Sequence, residues 1–267
     1  MMLLDGFELR CSTGGLSLPM AAQRVVAFLA LHTHPLHRAF VAGNLWFGGR
    51  DSNAQNCLRS VLWRVQHSCS IPIVRATRTH VQLAPSVVVD VPHQTAAAHQ
   101  ALNRAGALDD LDRGMLEGEL LPDWYDDWVL FEREHLRQLR LHALEELGLW
   151  LADEGRYGEA VESAFAALRG DELRESAHQT LIRIHLDEGN RAEAIRDFQR
   201  YKHLLRCKLG LDPSMDLERL VALAAPSIGD AVETPLGNRA SAIASPYGRA
   251  VRSVGHAQDP KNVMGLP

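Results

Sequence analysis

The spacing of apolar residues predicts three helices near the N-terminus. Residues 20–31 place apolar side chains three and four positions apart, which is the spacing that buries one face of a helix. A shorter second helix fits residues 39–47 and ends at a pair of glycines. A third helix runs to about residue 68, with Asp51 or Ser52 as its N-cap.

Extended segments flank these helices on both sides. Short strands are predicted over residues 3–10 and 16–18, as a hairpin around the turn STGG. After the third helix, the stretch IVRATRTHVQLAP has two extended runs around a polar turn and is followed by VVVDV. Strands, three helices and a hairpin are the element order of an OmpR-like winged helix-turn-helix, a DNA-binding fold.

The third predicted helix carries a tryptophan on its polar side. Within NCLRSVLWRVQHS, the apolar stripe consists of Leu58, Val61, Leu62 and Val65. The opposite face presents side chains rich in hydrogen-bond donors, with Trp63 among them. We interpret this face as one that reads base edges in the major groove, which admits one helix. The alternative is a solvated face whose tryptophan packs under the wing.

Side chains on this face match functional groups of DNA. Asn56 can pair bidentately with an adenine edge, and arginine can take guanine or a phosphate. His67, near the end of the helix, is better placed for phosphate. The residues of this helix predicted to contact DNA are Asn53, Gln55, Asn56, Arg59, Ser60, Trp63, Arg64 and His67.

The hairpin after the third helix is predicted to add contacts with DNA. Arginine at the tip of a wing enters a minor groove or holds phosphate, and such contacts make binding salt-dependent. The hairpin residues assigned to DNA are Arg75, Thr77, Arg78 and His80. An ordinary exposed turn is the alternative, and Arg24 and Arg38 are further phosphate candidates.

From about residue 93 onward the sequence predicts helices only and contains an internal repeat. LADEGRYGEAV at 151–161 recurs as HLDEGNRAEAI at 185–195, an offset of 34 residues, which is the tetratricopeptide period. In each copy a glycine ends one helix, and an alanine five residues later allows the next helix to approach closely. A helical hairpin that matches by chance is the alternative. Upstream packing positions are held by Leu144, Leu147, Gly148 and Leu151.

Charge divides the sequence into parts of different sign. Residues 1–92 hold 8 Lys+Arg and 4 Asp+Glu, residues 93–225 hold 16 and 26, and residues 226–267 hold 4 and 3. A basic part joined to an acidic part indicates two partners of opposite sign, or a polyanion and a protein, although acidic helices are also often only solvated. The last segment is rich in Pro, Gly, Ser and Ala, which predicts a disordered tail, with a docking peptide as the alternative.

Several functional classes find no support in the sequence. The four cysteines form no CxxC pair, and neither a GxxxxGK[ST] loop nor an HExxH motif is present. No apolar run approaches the roughly 20 residues that span a bilayer, and the N-terminus lacks the apolar core of a signal peptide. We therefore expect a cytoplasmic, nucleoid-associated protein that is not an enzyme and has no cofactor or metal. His178 and His185 lie roughly on one helix face, and we interpret them as packing or solvated residues.

An aromatic cluster stands at the start of the helical part. Trp124, Tyr125 and Trp128 occur within DWYDDWVLF. We interpret them as the seam between the winged helix and the repeats, or as a contact within the repeats. A protein-docking role is the alternative.

Taken together, these stretches resemble the Streptomyces antibiotic regulatory protein (SARP) family. GLSLPMAAQRVVAFLALH, LRSVLWRV and ATRTHVQLAPSVVVDV are similar to its DNA-binding domain. LLPDWYDDWVLFEREHLRQLRLHALEEL and AEAIRDFQRYKHLLRCKLGLDPSMDLERL resemble its bacterial transcriptional activator domain. We divide the chain into a winged helix-turn-helix at 1–92, a tetratricopeptide-like activator domain at 93–225 and a tail at 226–267.

The resemblance implies a mainly α-helical activator of biosynthetic (secondary-metabolite) genes. Its expected partners are promoter DNA carrying direct repeats, RNA polymerase holoenzyme and a second copy of the protein on the DNA. A rival of another class is a tetratricopeptide interaction module that does not bind DNA. The net charge of only +4 in residues 1–92 leaves this rival open.

Overall fold

The computed structural model describes residues 1–11, 14–46, 51–111 and 113–222. Within these ranges the fold is mainly α-helical with a small N-terminal β component, as predicted. The tail predicted for 226–267 and the glycine pair predicted to end the second helix lie outside the described residues.

The N-terminal part is a winged helix-turn-helix. Strand β5 lies between β4 and β3 in an antiparallel sheet, with Val81 opposite both Leu36 and Ala76. The third strand, β3, was not predicted. The elements are β1 (Arg10–Cys11), β2 (Gly14–Gly15), α1 (Met20–Ala30), β3 (Leu36–His37), α2 (Arg38–Leu45), α3 (Asp51–His67), β4 (Val74–Ala76) and β5 (His80–Leu83).

Helix α3 has the amphipathic pattern that its sequence predicts. It begins at Asp51, so neither Asp51 nor Ser52 precedes the helix as an N-cap. Its apolar side chains enter the core of the winged helix together with those of α1 and the wing. The buried stripe consists of Leu58, Val61, Leu62 and Val65.

The regular strand predicted over residues 3–10 is wrong. The chain turns at Asp5 and Gly6, where φ is 60° and 140°, and Met2 exchanges backbone hydrogen bonds with Glu8 across the turn. Among the described residues of this hairpin, regular pairing is confined to the two-residue strands β1 and β2, so the predicted strand over 16–18 is also displaced. An Asp-Gly pair is a turn signal, and it overrides the alternation of apolar residues around it.

The second part contains only helices in its described residues, as predicted. Two 3₁₀ turns, Leu108–Asp110 and Arg113–Leu116, join its first two helices. The helices are α4 (Asp90–Leu102), α5 (Asp127–Asp153), α6 (Tyr157–Gly170), α7 (Glu175–Asp187), α8 (Arg191–Leu209) and α9 (Met215–Ala222).

The repeated sequence corresponds to two helical hairpins, α5–α6 and α7–α8. Gly155 and Gly189 follow the first helix of each hairpin with φ of 74° and 87°, a left-handed conformation that glycine adopts without strain. Ala160 and Ala194 are fully buried at the matching positions of the second helices. Gly148 allows close packing, since a Cβ there would lie 3.3 Å from the carbonyl oxygen of Ala160.

An apolar cluster, which we call the seam, joins the winged helix to the helical part. Side chains from the N-terminal segment, α1 and the start of α4 contact the segment that precedes α5 and its first turn. The buried members are Leu3, Ala27, Ala30, Val89, Val91, Leu120, Leu121, Trp124 and Val129.

Polar contacts reinforce the seam. The Asp90 carboxylate accepts hydrogen bonds from the backbone N–H groups of Leu3 and Leu4 at 2.9–3.0 Å. Arg24 of α1 forms an ion pair with Asp126, just before α5. This pair neutralises Arg24 within the protein, so the structure does not favour its assignment as a phosphate contact.

The aromatic cluster is only partly within the seam. Trp124 is buried there and stacks on Phe7 with ring centroids 6.0 Å apart, while Trp128 meets Phe28 edge-on at 5.2 Å. Tyr125 is 78% exposed and belongs to no apolar cluster. The seam interpretation is confirmed for the two tryptophans and wrong for Tyr125.

Candidate nucleic-acid interface

Helix α3 presents to solvent all the residues that were assigned to the major groove. Its buried stripe faces α1, α2 and the wing, so the opposite side remains open. Trp63 is 61% exposed, although large apolar side chains are usually buried. The exposed residues of this face are Asn53, Gln55, Asn56, Arg59, Ser60, Trp63, Arg64 and His67.

The exposed Trp63 contacts His67, one turn further along the same helix. The rings of Trp63 and His67 lie 4.3 Å apart at an angle of 30°. His67 Nδ1 donates a hydrogen bond to the carbonyl oxygen of Trp63 at 2.7 Å, which fixes the imidazole beneath the indole. Trp63 thus stacks on His67 at the helix surface and is not packed under the wing.

The polar groups beside Trp63 keep most of their hydrogen-bonding capacity. Arg59 Nη1 donates a long hydrogen bond of 3.4 Å to Asn56 Oδ1, which leaves the remaining guanidinium donors and the Asn56 amide group available. The Ser60 hydroxyl donates to the carbonyl oxygen of Asn56 at 3.0 Å, so it can serve a ligand only as an acceptor.

The wing is held by a threonine turn. The Thr77 hydroxyl oxygen accepts hydrogen bonds from the backbone N–H groups of Thr79 and His80 at 3.3 and 2.9 Å. Thr77 is therefore occupied with the shape of the turn, a role that serine and threonine often take. Arg75 and Arg78 are exposed on either side of it.

A cleft of about 290 Å³ connects α3 to the wing. Pairing of β3 with β5 brings the start of α2 against the wing tip, and Arg38 Nη1 donates to the carbonyl oxygen of Thr77 at 3.0 Å. The predicted residues that meet here are Gln55, Arg59 and Arg78, and the cleft adds His37, Arg38 and Thr79. His37 and Thr79 were not assigned to DNA from the sequence, because only the unpredicted β3–β5 pairing places them beside α3.

The charge of this surface is one-sided. Residues 11–89 contain seven arginines and one acidic residue, Asp51. Within the described parts of the chain, the four arginines assigned to DNA form no ion pair. These are Arg59, Arg64, Arg75 and Arg78.

Elsewhere, the structure supports packing roles for the paired histidines. His178 stacks on Tyr201 with centroids 4.1 Å apart, and His185 Nε2 lies 3.3 Å from Asp197. In the ranges covered by the structure, no group of His, Cys, Asp and Glu side chains could hold a metal ion. None of the described helices is long and apolar enough to cross a bilayer.

Comparison with known proteins places this geometry in a family. A model described as the bacterial transcriptional activator domain matches residues 89–222, which is half of the 267-residue chain. No curated protein sequence gives a significant match. Among solved structures, the chain is similar to Mycobacterium tuberculosis EmbR in complex with a low-affinity phosphopeptide, at 18% identity and a TM-score of 0.67. The match covers 84% of this chain and 64% of the EmbR chain, so this chain spans less than two thirds of that protein.

The fold and the family model agree with the resemblance seen in the sequence. A winged helix-turn-helix precedes a helical part with two repeated hairpins, and the family model begins at the residue before α4. The chain belongs to the SARP family of transcriptional activators, whose bacterial transcriptional activator domain it carries at residues 89–222.

Proposed function

We propose that this activator binds promoter DNA in a sequence-specific manner, with α3 in the major groove and the wing on the adjacent backbone. The observation that carries the proposal is the open polar face of α3, where Trp63 and Arg59 are exposed beside arginines without carboxylate partners in the described chain. A polyanion supplies the missing negative charge and releases counterions when it binds.

Each exposed side chain has a distinct role in this proposal. Asn56 pairs with adenine and Arg59 with guanine, because both can form bidentate hydrogen bonds to base edges. Trp63 covers a thymine methyl group or the sugar–phosphate wall. Contacts to phosphate come from Arg64, His67, Arg75, Arg78 and His80, and further contacts to bases from Asn53, Gln55 and Ser60, while Thr77 shapes the wing.

Two protomers bound in tandem are proposed to recognise a direct repeat. One helix and one wing cover only a few base pairs, so a single protomer is a weak reader. A second protomer on the adjacent half-site gains from effective concentration, which makes binding cooperative. The controlled genes are proposed to be biosynthetic, and the site of action is the nucleoid in the cytoplasm.

The helical part is proposed to contact RNA polymerase and a neighbouring protomer. The segment before α5 and the first turns of α5 expose apolar surface, with Tyr125 at 78% and Phe131 at 73%. Tyr125 also lines a broad groove of about 750 Å³ that reaches Trp46 at the end of α2. Exposed aromatic residues of this kind favour a protein partner, since they are enriched at interfaces.

Fluorescence anisotropy with the DNA upstream of the protein's own gene tests the proposal. We expect Arg59→Ala and Trp63→Ala each to weaken specific binding by about 1–3 kcal/mol. Arg191→Ala is the matched control, because Arg191 is exposed on α8 and forms no ion pair within the described residues. Affinity should also fall as salt rises, in proportion to the phosphates contacted.

Two outcomes would contradict the proposal. If both variants bind specific and random DNA as the unchanged protein does, α3 does not read the promoter. If the unchanged protein binds no DNA while polymerase or another protein is captured, the interaction-module rival is favoured. A footprint over a single half-site with a Hill slope near one would contradict only the tandem arrangement.

A further inference from the structure

A cavity of about 240 Å³ in the helical part is lined by arginine side chains. Its walls come from α4, α5, the end of α6 and the segment from Gly118 to Leu120. None of the residues assigned to DNA lines it. The four arginines in its wall are Arg133, Arg137, Arg140 and Arg169.

Two of these arginines serve the fold. Arg133 donates to the carbonyl oxygens of Leu120 at 2.7 Å and Trp124 at 2.8 Å, which ties α5 to the segment before it. Arg137 pairs with Glu134 at 2.8 Å and lowers the pKa of that carboxyl to about 2.

Arg140 is incompletely satisfied. Its Nη1 donates to the carbonyl oxygen of Gly118 at 2.8 Å, but its Nε is buried and has no hydrogen-bond partner in the described chain. Burial lowers the pKa of its guanidinium from the ordinary value, while the carboxylates of Glu119, Asp5 and Glu117 oppose the shift. A buried donor of a charged group without an acceptor is costly, so native proteins rarely leave one empty.

Arg169 supplies a second free cation at the same cavity. It is exposed at the end of α6, and among the described residues it forms no ion pair or side-chain hydrogen bond. Arg137 donates to the neighbouring carbonyl oxygen of Gly170 at 3.2 Å, which offsets the negative end of the helix toward an incoming anion.

The acidic residues nearby are already paired with other arginines. Glu119 lines the cavity and lies 3.3 Å from Arg133, while Asp171 lies 3.4 Å from Arg137. In the described chain neither Arg140 nor Arg169 forms a direct ion pair, although Glu119, Asp5 and Glu117 lie close enough to act on Arg140. The cavity wall thus holds four guanidinium groups and one carboxylate, an excess of positive charge that a doubly charged anion balances better than a carboxylate does.

We propose that this cavity binds a small molecule carrying a phosphate group, with the guanidinium groups of Arg140 and Arg169 as its charged ligands. A phosphate monoester carries about −1.5 to −2 charges at neutral pH, and arginine binds its oxygens in a fork geometry. The cavity is smaller than the roughly 300–1,000 Å³ of drug-sized sites, which favours a small metabolite. The inference does not rest on DNA binding.

A ligand bound in this cavity would also stabilise the seam. The same segment whose Gly118 carbonyl binds Arg140 pairs with the N-terminal segment, where the Asp5 N–H donates to the carbonyl oxygen of Glu119 at 2.7 Å. A ligand that binds only the folded state raises the unfolding temperature. Phosphate is therefore expected to raise the melting temperature of the full chain.

Calorimetric titration of the full chain with inorganic phosphate, at constant ionic strength, tests the inference. We expect saturable binding to one site, and binding weakened about tenfold or more in Arg169→Gln and Arg140→Gln, since each loses a charge-assisted hydrogen bond. Arg191→Gln removes the same charge outside the cavity and should bind phosphate unchanged. Arg169→Gln keeps the test valid if Arg140→Gln unfolds, because Arg169 is exposed and forms no ion pair or side-chain hydrogen bond in the described fold.

Three results would overturn the inference. The first is the absence of saturable binding at millimolar phosphate. The second is equal binding by Arg169→Gln and Arg191→Gln, which would place the anion elsewhere, for example on the arginines of α3. The third is equally strong binding of acetate, which would show that a single negative charge suffices.

Discussion

Trp63 is a large, mostly apolar side chain that is exposed to solvent. Full burial of a tryptophan removes about 150–250 Å² from solvent, so its exposure forgoes a stabilisation of a few kcal/mol. The ring stacks on His67, on the face of α3 that we propose to contact DNA.

This exposure separates affinity for DNA from stability. We expect Trp63→Ala to change the free energy of unfolding in urea by only about 0.5 kcal/mol, because the ring packs against little besides His67. DNA affinity should fall by far more. A loss of stability as large as the loss of affinity would show that Trp63 belongs to the core.

His178 makes stability depend on pH. Burial lowers its pKa below the ordinary 6.5, while Glu175 and Asp197 oppose the shift. The unfolded chain therefore takes up this proton more readily than the folded chain. The contribution of neutral His178 is present above the unfolded pKa and is lost as pH falls through the folded pKa.

We expect the free energy of unfolding to fall between about pH 7 and pH 5, and His178→Phe to flatten that part of the profile. Phenylalanine keeps a ring against Tyr201 but cannot titrate. Urea unfolding at a series of pH values measures the effect, and His93→Phe at an exposed position of α4 is the control. An identical slope in His178→Phe and the unchanged protein would contradict the assignment.

Gly148 sets the spacing between α5 and the neighbouring helices. A Cβ there would lie 3.4 Å from Ile184 Cδ1, in addition to its close contact with the Ala160 carbonyl. We expect Gly148→Leu to destabilise the protein by about 1–3 kcal/mol or more through overpacking. Gly158→Leu meets open space and should be nearly neutral. Equal urea midpoints for the two variants would show that the helices can separate freely.

At the scale of elements, local signals explain which predictions held. The helices of the winged helix and the repeats follow apolar spacing of three and four residues, which burial rewards directly. The prediction of a strand over residues 3–10 was wrong because the turn at Asp5 and Gly6 folds the segment onto itself. Strand β3 has two residues, and its pairing with β5 is a tertiary contact that no local pattern encodes.

The candidate interface also has one part that the sequence predicts and one part that depends on tertiary contacts. The exposed face of α3 follows from helical periodicity, since burying Leu58 and Leu62 turns Arg59 and Trp63 outward. The cleft to the wing depends on where His37 lies, and β3 decides this position.

The left-handed glycines that end α5 and α7 offer a test of the repeat. A residue with a Cβ at Gly189, where φ is 87°, should cost about 1 kcal/mol, and asparagine less than alanine because its side chain tolerates this region. Chemical unfolding of Gly189→Ala and Gly189→Asn measures the difference. Equal stability of the two variants would mean that the helix end rearranges.

At the scale of the whole molecule, the seam decides whether the two parts behave as one. The N-terminal segment, α1 and α4 share a buried cluster with Trp124 and Val129, and Arg24 pairs with Asp126 across it. A contact this apolar couples the unfolding of the winged helix to that of the repeats. The domain boundary between residues 92 and 93 stays a prediction. Helix α4 runs across it, and Asp90 at the start of α4 accepts a hydrogen bond from the backbone of Leu3.

We therefore expect the full chain to unfold in one cooperative calorimetric transition, with equal calorimetric and van't Hoff enthalpies. Trp124→Ala removes the largest side chain of the seam and should cost about 3–5 kcal/mol, enough to split the transition into two. Phe131→Ala, an aromatic truncation at an exposed site, should leave a single transition. Two transitions in the unchanged protein would mean that the seam is too weak to couple its parts, and a binding event in the helical part could then not stabilise the winged helix.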